Sequence, residues 1–119
     1  MIVCPLDPDI DVWVIRTGEI EGVDFSDTHA FAVFGDGVER PMILLDASLL
    51  EQDWFTQAHL LVVLAHEVAH IHTGSTSEEI ADLVGMLLLY RHGYDEALEL
   101  HLSEYRVRRC QGLYDDLAA

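Results

Sequence analysis

The hydrophobic period changes once along this chain, and that change constrains the fold more than any other feature. Up to about Asp46 the apolar residues come in short runs broken by glycine and acids. Ile10, Val12 and Val14 alternate with Asp11 and Trp13, which predicts a strand. Residues His29 to Phe34 predict a second strand, closed by the turn Gly35-Asp36-Gly37, and Met42 to Leu45 a third. A small antiparallel sheet is the expected outcome. From about Asp53 to Leu113 the period becomes helical. The first helix is expected from Asp53 or Thr56 to His72, with Gly74 as its stop. The second runs from about Ser77 to His92, with Ser75, Thr76 and Ser77 as cap candidates. It is apolar almost all round from Ile80 to Tyr90, which predicts burial on most faces. The third is expected from about Asp95 to Cys110, with Leu98, Leu102 and Tyr105 on one face. The 119 residues, half of them apolar, suit a single α+β domain spanning 1–119.

Charge narrows the partners. There are 22 acids against 6 bases, all arginine, for a formal charge of -16. Such a surface repels phosphate, so neither nucleic acid nor an anionic membrane is an expected partner. A basic substrate would be drawn in. The arginines Arg106, Arg108 and Arg109 suit the C-terminal end of a helix. Cys4 and Cys110 lie near opposite ends, and no CxxC pair is present. The central uncharged stretch, Trp54 to Ala65, is too short to span a bilayer. The N-terminal residues show no basic segment followed by an apolar run. An intracellular, cytoplasmic protein with reduced thiols is expected.

The first helix carries His66-Glu67-Val68-Ala69-His70. Histidines four apart project from one helix face, at a spacing that suits two nitrogens on one zinc ion at about 2.0–2.1 Å. Glu67 lies on the flank, placed to touch a water on that ion. A catalytic zinc needs a third protein ligand, and the next helix begins Glu78-Glu79-Ile80-Ala81-Asp82. Glu78 and Asp82 share a face, so Glu78 is a candidate ligand and Asp82 a candidate acceptor for the outer N–H of a ligand histidine. Glu79 is a rival ligand. A capping box from Thr76 to Glu79 would free Glu78, and one from Ser75 to Glu78 would do the reverse. Ala81 and Gly85 are small enough for close packing on the first helix.

This arrangement resembles the gluzincin zinc metallopeptidases. HExxH followed by Glu-x-x-x-Asp is their pattern, and Glu78-x-Ile80-Ala81-Asp82-x-x-Gly85 is similar to the thermolysin-type run Glu-x-Ile-Ser-Asp-x-x-Gly. The chain also resembles the minimal gluzincins and the small intracellular metallopeptidases that cleave phage-type repressors. The likeness covers about Pro41 to Arg91. It implies a zincin-like minimal domain, with His66, His70 and Glu78 as zinc ligands, Glu67 as general base and Asp82 behind the metal. It also implies a peptide or protein substrate aligned on an edge strand, for which His29 to Phe34 and Met42 to Leu45 both qualify. The family adds a His or Tyr that steadies the oxyanion; His92, Tyr94, His101 and Tyr105 are candidates by type. The minimal members add latency through a terminal segment filling the cleft, which would here be the third helix and tail.

The connection from His70 to Glu78 is shorter than in thermolysin-like enzymes. The metzincin pattern fails, because Thr73 and Thr76 stand where its glycine and third histidine belong. His59 lies on nearly the same helix face as His66, and His72 fits a helix end. The alternative to a peptidase is a weak or inactive zincin-fold protein serving as a structural or protein-binding module.

Overall fold

The computed structural model describes residues 2–26 and 28–104. They form a four-stranded sheet with one layer of helices: β1 (Ile2–Val3), β2 (Asp11–Ile15), β3 (Ala30–Val33), β4 (Met42–Asp46), α1 (Ala47–Leu50), α2 (Gln57–Thr73) and α3 (Glu78–Arg91). A further helix, α4, covers residues 95–104. The third expected helix is thus present to residue 104, and its continuation to Cys110 lies outside the described residues. Among the described residues no helix is long and apolar enough to cross a membrane.

The sheet is mixed rather than antiparallel. Its order is β1-β2-β4-β3, and β2 runs parallel to β4, with Val12 opposite Ile43 and Val14 opposite Leu45. The chain leaves β2, forms β3 on the far side of β4, and only then enters β4. Parallel neighbours need such a long crossover. Alternation reports which face a side chain takes but not strand direction, so the sequence does not reveal this. Among the described residues β4 has a neighbour on each side, whereas β3 pairs with β4 alone and is a sheet edge. This removes Met42 to Leu45 as a substrate-aligning strand and leaves the segment around β3.

β4 is the hub of the core. Ile43 and Leu45 pack toward the helices with Leu61, Leu64, Ala65 and Val68 of α2. Leu44 points the other way, into a smaller cluster with Ile15 and Phe25. The expected alternation in β2 therefore breaks: Val12 and Ile15 are buried on opposite faces while Val14 is exposed. Val12 reaches the core shared with α2, whereas Val14, two residues further on, is exposed.

The second helix also departs from expectation. α3 buries Ala81, Asp82, Gly85, Leu88 and Leu89, but Ile80, Leu83, Leu87 and Tyr90 form an exposed stripe, Tyr90 at 70%. The helix has one broad contact face, against α2, and composition alone does not say how many neighbours a helix has.

Candidate metal centre

The centre is built by two helices and the turn that joins them. α2 starts where Thr56, in extended conformation, accepts the His59 N–H on its hydroxyl, while His59 Nδ1 accepts the Thr56 N–H at 3.2 Å. This is a capping box with histidine in the place usually held by Glu or Gln. α2 ends at Gly74, which takes φ +66° and donates its N–H to the His70 carbonyl. A side chain at that φ is strained, so glycine suits the turn. Ser75 Oγ accepts the Ser77 N–H, and the Ser77 hydroxyl caps α3 by accepting the Ile80 N–H at 3.3 Å. Neither expected capping box forms. With Ser77 at the cap, the third helical position is Ile80, and Glu78 and Glu79 both fall in the first turn.

α3 then packs directly on α2. A Cβ added to Gly85 would stand 3.3 Å from the backbone carbon and oxygen of Ala65. Glu78, Asp82 and Gly85 lie on one stripe of α3. The close approach at Gly85 therefore sets Asp82 opposite His66, and Glu78 one turn further back, over both histidines.

The polar groups converge accordingly. His66 Nε2 lies 3.0 Å from Glu78 Oε2, His70 Nε2 lies 3.1 Å from Glu78 Oε1, and the two Nε2 atoms are 3.2 Å apart. The opposite ring nitrogens are also engaged. His66 Nδ1 lies 2.9 Å from Asp82 Oδ1 and His70 Nδ1 2.7 Å from the Ser75 carbonyl. A carboxylate and a carbonyl only accept, so in the neutral rings both Nδ1 atoms carry the proton. Both Nε2 atoms then present lone pairs to each other and to a carboxylate. With both rings neutral the set has no positive centre of its own, and a metal ion would supply one. The spacing agrees: ligands at about 2.0–2.1 Å around a tetrahedral ion stand roughly 3.3 Å apart. Among the described residues, His66, His70 and Glu78 form a group able to hold a metal.

Glu78 is the exposed member, its side chain 76% accessible, whereas the His70 side chain is 9% accessible. The centre is thus anchored on the buried side and open on the other. Glu79 is not part of the convergent group; the next position on a helix points about 100° away. Glu67 is 9% exposed. Burial pushes its carboxyl up from the usual range; the adjacent His66 and His70 oppose this without cancelling it, and Glu78 adds to it.

The remaining histidines divide by position. His59 and His29 line the cleft beside the centre, and so does buried His101 of α4. Of the three oxyanion candidates among the described residues, His101 is the one that lines the cleft. His92 caps α3 and stacks on Tyr94 at 6.1 Å, and Tyr105 lies outside the described residues. His72 bonds Asp7 Oδ2 at 2.7 Å, tying the end of α2 to the loop before β2. Cys4 is buried and free, and Cys110 lies outside the described residues.

Two contributors escaped the sequence. One is the Ser75 carbonyl, a backbone atom that no residue pattern marks. The other is the cleft wall made by Trp54 and Phe55, which the capping histidine holds against α2. An aromatic pair immediately before a helix cap is the signal that would have found it. Comparison with family models, with curated proteins and with solved structures returns no match for this chain.

Proposed function

We propose that this protein is a zinc-dependent metallopeptidase of gluzincin type, in a zincin-like α+β domain, that hydrolyses peptide bonds in a peptide or protein substrate. The carrying observation is the convergence of both Nε2 atoms and the Glu78 carboxylate, with each Nδ1 held by an acceptor. His66, His70 and Glu78 would hold the ion. Asp82 and the Ser75 carbonyl would keep both histidines in the ligating tautomer and raise their basicity. When bound, zinc supplies Lewis acidity, bringing water near its ionisation point at neutral pH and polarising a carbonyl.

Glu67 is the general base. It follows His66 on α2, and burial raises its carboxyl toward the range useful for taking a proton from water and returning it to the leaving amine. The edge strand β3 lies along the cleft, where an extended peptide would add to its open side. The acidic surface disfavours phosphate-bearing partners.

The test has two stages. Natively purified protein should carry about one zinc per chain by elemental analysis, and His66→Ala should lose it. Zinc-loaded wild type should then cleave members of a broad peptide library, and Glu67→Gln should not. No metal in the wild type, and none taken up on adding zinc, would refute the reading. Stoichiometric zinc without turnover would leave a metal-bearing structural or binding module.

A further inference from the structure

The outer side of α3 is apolar along most of its length. Ile80, Leu83, Leu87 and Tyr90 are 42%, 41%, 60% and 70% exposed. Their spacing of three, four and three residues keeps them on one stripe, as in the seam of a coiled coil. Between Glu79 and Arg91 the one charged residue is Asp82, which is buried and bonded to His66 on the opposite side, toward α2. A surface helix ordinarily turns its charged residues outward. Taking a large side chain as about 200 Å², the four residues leave roughly 400 Å² of mostly apolar area to solvent. A contiguous patch of that size is often an interaction surface.

Three properties of the stripe point to a second copy of the same chain. The first is self-complementarity. A spacing of three, four and three is the same read in either direction. Two antiparallel α3 helices related by a two-fold axis therefore set Ile80 against the partner's Tyr90 and Leu83 against the partner's Leu87, and each contact occurs twice. The second is charge. The first turn of α3 carries Glu78 and Glu79 and the last turn Arg91. Parallel pairing would bring the two acidic turns together. Antiparallel pairing turns each acidic end toward the partner's Arg91 and opposes the helix dipoles. The third is area. The four residues would bury roughly 800 Å² for the pair, and half-buried Val84 and Met86 at the flanks bring this near the ~1,000 Å² of a specific, weak association. The formal charge of -16 on each copy opposes association. Salt at about 0.15 M screens that repulsion beyond roughly 8 Å, so it weakens the pair without forbidding it.

We propose that the protein forms a two-fold dimer by antiparallel packing of α3 on α3, with a dissociation constant of about 1–100 µM. Glu78, Asp82 and Gly85 lie on the other side of α3, so pairing leaves both metal centres open. The dimer is independent of the peptidase reading.

Sedimentation equilibrium of the full chain at about 0.15 M salt, over about 1–300 µM, reads the association. The average mass should rise from that of one chain toward two. Leu83→Lys and Leu87→Glu each put a charge into the seam. Each should raise the dissociation constant at least about 30-fold, while circular dichroism and the melting temperature at low concentration stay as in wild type. Mixed one to one, the two variants should associate within about tenfold of wild type. The antiparallel register sets the new lysine of one against the new glutamate of the other, and leaves Leu87 against Leu83 at the symmetry-related contact. Where a charged variant fails to fold, Leu87→Ala combined with Tyr90→Ala makes the same test, with an expected loss of about tenfold or more.

A wild type that stays one chain at every concentration would overturn the proposal. A lower melting temperature of Leu87→Glu in that case would assign the stripe to another segment of the same chain. Association unchanged in both charged variants would place the interface elsewhere and overturn it as well. Association lost in each variant and not recovered in the mixture would overturn the antiparallel register.

Discussion

Gly85→Ala is a one-carbon change about two turns from Glu78, and the packing says it should loosen the proposed metal centre. The added Cβ would stand 3.3 Å from the carbon and the oxygen of Ala65 and 3.4 Å from the His66 nitrogen. Carbon atoms rest at about 3.5–4.0 Å. The obstructing atoms are helix backbone, which cannot swing aside, so α3 must retreat from α2 by a few tenths of an ångström. Two effects oppose each other in stability. Alanine favours the helix by about 1 kcal/mol over glycine, while overpacking a close contact costs about 1–3 kcal/mol. The net loss should be about 0–2 kcal/mol, so the protein should remain folded. The metal centre has less tolerance. Its ligand distances must hold to about 0.2 Å, and Glu78 and Asp82 ride on the displaced helix while both histidines stay on α2. Zinc affinity should fall about 10- to 100-fold, the scale seen when groups behind metal ligands are lost. Chelator competition measures this directly, with thermal unfolding in parallel. A folded Gly85→Ala protein that binds zinc as tightly as wild type would refute the argument that the helix–helix distance at Gly85 sets the site.

Other outcomes follow from particular contacts. Asp82→Asn should retain the fold but lower zinc affinity about 10-fold or more, because the amide holds the His66 Nδ1 proton less strongly; chelator competition checks it. Thr56→Ala should cost about 1 kcal/mol in chemical denaturation, since the helix cap and its histidine partner are lost together. Burial of Asp7 disfavours its charged form, but the bonds from His72 and the Asp9 N–H outweigh that and hold its carboxyl below the ordinary value. Its contribution is therefore full above the unfolded pKa of about 3.9 and is lost as pH falls through the lower folded value. The difference in melting temperature between wild type and Asp7→Asn should be present at pH 5 and close as pH falls below about 4.

The helices and the spacing of the candidate metal-binding residues were legible from local order. Of the two expected starts for α2, Thr56 is the cap and Asp53 lies before the helix, while Gly74 ends it as expected, because a cap and a left-handed glycine act over a few bonds. His66 and His70 share a face through helix period alone, and so do Glu78 and Asp82. The same local rules could not choose among Ser75, Thr76 and Ser77 as the cap, since all three side chains can accept a backbone N–H. The structure places Ser77 there.

What the sequence determined by itself was which candidate site side chains share a helix face, because covalent spacing and helical period suffice for that. Tertiary structure decided the rest. The parallel pairing of β2 with β4 left β3, like β1, at an edge of the described sheet, a matter of chain path that alternation cannot report. The single packed face of α3 left Leu87 and Tyr90 exposed in a run that reads as buried. The contact of Gly85 with Ala65 and the return of the chain through Gly74 brought Glu78 rather than Glu79 over His66 and His70. A donor group contributed by two helices exists only at the distance at which they pack, and that distance is set by backbone contact.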